Sequence, residues 1–185
     1  MPSVAERENY NGGSERINRL GLQGLWEELE GILTGFKLLI EERRDANGGA
    51  EVRKLLDARF EKQGGWTKKQ VGGVDWTKCI ERNGTRICLG VEIQFSGRSD
   101  LLIVDIDHLR EGITAGVIDV GVIVTPADTL SVYLTDRGPH FSAATRAIER
   151  ARATDMPLIV LGLLHDGPGA ALEKQRTRQG KRKGR

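Results

Sequence analysis

Three residues near the middle of the chain carry the most pointed chemistry: Asp75, Glu92 and Gln94. Two alternating, apolar-rich runs flank Asn83-Gly84, the dipeptide that favours a two-residue type I′ turn because both central residues take positive φ. With Arg82 facing Thr85, Asp75 falls opposite Glu92, and the two-residue period of a strand turns Gln94 to the same side. Carboxylates so placed have Cβ atoms roughly 5 Å apart, and like charges directly opposite destabilise a hairpin unless something neutralises them. A divalent cation would do so, since hard ions such as Mg²⁺ take carboxylate oxygens and keep several waters. The neighbouring Glu81 faces Arg86 instead, an ordinary exposed pair. The same pattern also suits a hairpin that merely turns a polar face to solvent, and one bulge would carry Asp75 to the other face.

The elements around the hairpin follow from periodicity. Residues 1–13 are polar and end in Asn-Gly-Gly, which predicts a disordered N-terminus. Leu25, Trp26, Leu29, Ile32, Leu33, Phe36, Leu39 and Ile40 recur at helical spacing and predict a helix over 23–44. A second helix is predicted over 50–62, with Val52, Leu55, Leu56 and Phe60 inward. The loop GWTKKQVGG over 65–73 offers Lys68 and Lys69 beside Trp66, either as phosphate contacts or as a plain connector. Ser99 is a fair N-cap for a helix to about Gly112. The run VIDVGVIVT over 117–125 has the character of a central buried strand. Residues 129–135 suit a short strand or an irregular loop. Ser142 caps a predicted helix over 143–153, and MPLIVLGLL over 156–164 is the last core strand. A leading hairpin followed by strands joined through helices predicts a mixed sheet with helices on both faces.

Composition bounds the rest. At 185 residues the chain suits one domain, here 14–169. No apolar run approaches the roughly 20 residues of a membrane span, and the first residues lack a signal-peptide core, so a cytoplasmic protein is expected. The two cysteines, Cys79 and Cys88, face one another in the hairpin register and are expected to stay reduced in a cytosol. From Lys174 onward there are seven basic residues and no acid, so the net charge of +2 leaves −5 for the remainder. A basic, disordered tail over 170–185 can meet phosphates through counterion release without reading bases, or simply stay solvated.

Asp75, the strand VEIQF with Glu92 and Gln94, Arg98-Ser99-Asp100-Leu101 opening a helix, and the later IDVGVIVTP together resemble the PD-(D/E)xK nuclease superfamily. Within it they are similar to the BglII-like and BamHI-like type II restriction endonucleases, over roughly residues 25–165. The resemblance implies a restriction-endonuclease-like α/β core with an antiparallel catalytic hairpin. It implies Mg²⁺ held by Asp75, Glu92 and the carbonyl of Ile93, hydrolysis of double-stranded DNA at a short palindromic site, and 5′-phosphate products. Gln94 stands where most of the superfamily has Lys. An amide can be neither a cation nor a proton donor to a leaving group, which leaves Gln94 to orient a water. Glu61 is the best match for a further polar residue from the preceding helix, with Asp57 second. The three histidines do not fit a catalytic role by spacing. A palindromic site implies a homodimer, joined through the helix over 100–112. Ser96, Arg98 and Ser99, with Asp136, Arg137 and His140 in a later loop, are the candidates for DNA contact. Two other readings share these residues: a repair or recombination nuclease, and a non-catalytic DNA-binding protein on a degenerate nuclease fold.

Overall fold

The computed structural model describes residues 1–68, 73–98, 100–135 and 138–174. The element order is β1 (Ser3–Tyr10), α1 (Gly13–Leu20), α2 (Gln23–Thr34), β2 (Leu39–Ile40), α3 (Gly49–Gln63), β3 (Thr67–Lys68), β4 (Trp76–Arg82), β5 (Thr85–Ile93), α4 (Leu101–Thr114), β6 (Val120–Pro126), α5 (Asp128–Ser131), α6 (Phe141–Arg150), β7 (Leu158–Leu164) and β8 (Gly167–Pro168). Six strands form one mixed sheet in the order β1-β7-β6-β5-β4-β3, and β2 pairs with β8 apart from it. β5, β6 and β7 run parallel in the centre, while β4 and β1 pair antiparallel on either side.

The period of two along the central strands sorts their side chains into two apolar layers. Leu89, Val91 and Ile93 of β5, Val120, Val122 and Val124 of β6, and Ile159 and Leu161 of β7 pack with α1, α2 and α3. Ile123, Leu158 and Val160 pack on the other side with Leu102, Ile106 and Leu109 of α4 and Ile148 of α6. Helices on both faces of a mixed sheet agree with the predicted fold class. Asn83 and Gly84 take φ of 50° and 75°, as a type I′ turn requires. The ladder pairs Trp76 with Val91, Cys79 with Cys88 and Arg82 with Thr85, which is the predicted register.

Several segments differ from expectation. The N-terminal residues are not disordered: β1 pairs with β7 along seven positions as an edge strand. Its backbone bonds need no apolar pattern, and its outward residues are polar, with Arg7 bonded to Glu30 at 2.7 Å. The long helix over 23–44 stops at Thr34, where Gly35 N donates to Gly31 O. Ile40 is still buried, but in an extended segment next to β8, whereas Leu39, expected on the same apolar stripe, is 43% exposed. Residues 129–135 begin in the short helix α5 rather than a strand. His140, not Ser142, holds the N-cap position of α6, and the Ser142 N–H donates to Asp128 at 2.9 Å. Cys79 and Cys88 are joined in a disulfide with Cα atoms 4.1 Å apart. The expectation of free thiols rested on compartment; the register brings the sulfurs within bonding reach. The start of the expected tail is also ordered, since Leu172 N donates to Asn47 Oδ1 and its carbonyl accepts from Gly48 N. Residues 175–185 lie outside the described residues.

Candidate active site

β5 ends at Ile93, and Gln94 N still reaches Val124 O at 2.9 Å, so the segment carrying Glu92 and Gln94 is held rigidly beside a central strand. Asp75 precedes β4 and accepts a 3.0 Å bond from Ile93 N through Oδ2. Its carboxyl lies close enough to that of Glu92 for each to act on the other's ionisation. The expected carboxyl pair across the open end of the hairpin is therefore present. Glu92 is 1% exposed, and Asp75, Gln94 and Asp105 are also buried.

α3 supplies a guanidinium to this end. A Cβ on Gly49 would stand 1.8 Å from Phe95 O, so only glycine lets the first turn of α3 close onto the chain just past β5. One turn on, Arg53 meets Asp75 Oδ1 at 2.8 Å and donates to the carbonyl of Ile93. Asp57, a further turn along, accepts from Arg53 Nε at 3.1 Å and from Trp76 Nε1 at 2.9 Å. Asp57 thus positions Arg53 and Trp76 and does not face Glu92. Glu61 has a mostly exposed side chain whose ion pair is a 4.0 Å contact with Lys68. It does not join the carboxyl pair.

α4 contributes what sequence spacing missed. Asp105 and His108, three residues apart on one helix face, come to Glu92 from the other side. His108 Nδ1 lies 3.1 Å from Glu92 Oε1. Asp105 Oδ2 is buried and, among the described residues, has no hydrogen-bond partner. Asp105 sits between Leu102 and Leu109 on the buried stripe of α4, and a carboxylate in that stripe was the available signal.

The three carboxyls share one electrostatic balance. Burial, then the Asp75 and Asp105 charges, hold Glu92 well above the usual carboxylate range. Burial and the Asp75 charge push Asp105 up to about 7. Burial also acts against the Asp75 anion, but the Arg53 guanidinium outweighs it and holds Asp75 below its ordinary value. Asp75 is the anion here, and its neighbours resist ionising without more positive charge. Buried carboxyls in such excess, one oxygen among them unpartnered, fit a divalent cation. Two of the oxygens assigned to it by sequence, Asp75 Oδ1 and Ile93 O, are engaged by Arg53.

The residues expected to touch DNA are more dispersed. Lys68 pairs with Asp57 at 3.2 Å and lies over the Trp76 ring. The Ser96 carbonyl accepts from Gln94 Nε2 at 2.5 Å. Arg98 is exposed and pairs with Asp100 at 3.0 Å. His140 Nδ1 lies 2.8 Å from Asp128, beside the start of α6. Lys69, Ser99, Asp136 and Arg137 lie outside the described residues.

A mixed sheet with a carboxyl pair across its antiparallel hairpin and helices on both faces is a restriction-endonuclease-like fold. The family model described as "Restriction endonuclease BglII/BglIII" matches residues 5–163, and the chain belongs to that family. Membership makes it a nuclease of the restriction class, a hydrolase that binds DNA. No curated protein matches the chain. Among the described residues no helix is long and apolar enough to cross a membrane.

Proposed function

We propose that the chain is a Mg²⁺-dependent type II restriction endonuclease that hydrolyses double-stranded DNA at a short palindromic site and leaves 5′-phosphates. The observation that carries this reading is the pair of buried carboxyls, Asp75 and Glu92, at the end of a hairpin where Asp75 accepts from the Ile93 N–H beside Glu92 at 3.0 Å, in a chain of this family. Asp75, Glu92 and the carbonyl of Ile93 would hold the ion, and a cation taking both Asp75 Oδ1 and Ile93 O must move the Arg53 guanidinium aside. When bound, a divalent cation lowers the pKa of a coordinated water and stabilises charge at the phosphate. Gln94 would fix that water by a hydrogen bond, with Nε2 already tied to Ser96 O. Lys68, Lys69, Ser96, Arg98, Ser99, Arg137 and His140 are the proposed DNA contacts. Lys68 and Arg98 would exchange their partners Asp57 and Asp100 for phosphates or bases.

A palindromic site calls for a two-fold dimer, and α4 offers the surface, with Leu101 and Val104 left 41% and 45% exposed. This role places the enzyme in the cytoplasm, where the Cys79–Cys88 disulfide is open to reduction.

The test is digestion of a long DNA of known sequence with and without Mg²⁺, beside Glu92→Ala. Discrete fragments that require the ion, lowered by at least about 10²-fold in the variant, are expected. Their termini give the site and the stagger. End-trimming or a smear would replace this reading with a repair nuclease, and binding without cleavage in any metal would leave a DNA-binding protein.

A further inference from the structure

We propose that Glu92, Asp105 and His108 form a second cation site on the α4 side of Glu92, one that takes Mn²⁺ in preference to Mg²⁺. The inference rests on the reading that Glu92 holds a cation, and adds to it a nitrogen ligand and a buried carboxylate from another element. One ligand atom from each of the three residues lies within 4.8 Å of the others. Asp105 is 8% exposed, and its Oδ2 is without a partner among the described residues. A hydrogen-bonded reading satisfies His108 and Glu92, 3.1 Å apart, but still strands that oxygen. A cation between them satisfies all three.

The two sides of Glu92 differ in what they can accept. On the hairpin side, Asp75 Oδ1 and Ile93 O are held by the Arg53 guanidinium. On the α4 side the acceptor is still available. An imidazole beside two carboxylates suits a first-row ion that binds nitrogen readily, whereas Mg²⁺ prefers oxygen ligands and its own waters. His108 leaves 32% of its side chain accessible, so an ion can exchange from solvent. α4 holds Asp105 and His108 one turn apart inside a helix of 14 residues, which fixes the pair before any ion binds.

The experiment is titration of the metal-free full chain with Mn²⁺, followed by loss of the free-ion EPR signal and repeated in competition with Mg²⁺. Asp105→Asn and His108→Gln should each weaken Mn²⁺ binding by about 10- to 100-fold, and His108→Gln should weaken Mg²⁺ binding far less than Mn²⁺ binding. Pulsed EPR of the wild-type complex should show hyperfine coupling to an imidazole nitrogen, a readout that survives even if a variant does not fold. Absence of that coupling, or unchanged Mn²⁺ affinity in both folded variants, overturns the proposal. If Glu92→Ala alone then abolishes binding, the cation reading of the hairpin site stands without this one. If Glu92→Ala binds like wild type, both fall.

Discussion

At the scale of single residues, the site is a set of buried carboxyls held in check by one guanidinium. A carboxyl whose folded pKa is raised stabilises the fold fully below its unfolded value and loses that contribution as pH climbs toward the folded one. For Glu92 the loss begins near its ordinary 4.5, and for Asp105 it runs from 3.8 to about 7. Asp75 is shifted the other way, and its contribution is lost only as pH falls below 3.8. Metal-free protein should therefore melt at a lower temperature near pH 8 than near pH 5, because over that interval both carboxyls are ionised in the unfolded chain while the fold keeps Glu92 protonated and ionises Asp105 only near the top of it. Glu92→Gln, an amide that mimics the protonated acid, should recover about 2 kcal/mol near pH 8, roughly 4–8 °C in a thermal scan. An equal melting temperature at both pH values would show that Glu92 ionises freely. Arg53→Met works in the opposite sense. It leaves Asp75 buried without its cation, at about 3 kcal/mol, the low end for a broken buried pair because both side chains still reach solvent. Divalent cation should restore part of that stability, whereas a purely structural arginine would gain nothing from it. The alternation that placed Asp75 opposite Glu92 was legible because it depends only on a turn and a period of two. The approach of Asp105 and His108 was not, since it depends on how α4 packs across β5.

At the scale of elements, the hairpin was readable and its neighbours were readable in part. Asn83-Gly84 fixes the register locally, so every residue from Trp76 to Val91 found its predicted partner. β1 was missed because an edge strand gains its backbone bonds from β7 and carries polar side chains, which read as disorder. The end of α2 was missed for a different reason: Phe36, Leu39 and Ile40 keep helical spacing past Gly35, but Ile40 is buried from an extended segment and Leu39 is exposed. The seat of α3 depends on Gly49, a feature with no local signature. Gly49→Ala puts a methyl into Phe95 O and must push the first turn of α3 off the end of β5. The expected cost is about 1–3 kcal/mol in a denaturant melt. The same shift should withdraw Arg53 from Ile93 and Asp75, so the variant should bind divalent cation more tightly even as it unfolds more easily. Weaker binding together with lower stability would mean that Arg53 serves the site only as scaffolding.

At the scale of the whole molecule, layered architecture and family agree, and both were foreshadowed by the order of hairpin, helix and buried strand. Charge distribution adds a property that no single element has. The chain carries +2 overall, yet removing residues 175–185 takes away six basic residues and no acidic one. The remaining body is negative, so a DNA-contacting C-terminal segment should contribute more to its approach to DNA at moderate salt than the rest of the chain. Contacts of that kind act through counterion release and carry no base information. Truncation after Lys174 should therefore weaken binding to all duplexes alike. The slope of log affinity against log salt should become shallower by about 0.9 for each phosphate that the tail no longer neutralises. Cleavage positions should stay where they were, because all the proposed DNA contacts precede Lys174 in the chain. Filter binding across a salt series, with fragment mapping on the same DNA, separates the outcomes. A truncated chain with an unchanged slope would show that the tail stays in solvent, and a changed cleavage pattern would make it part of the recognition surface.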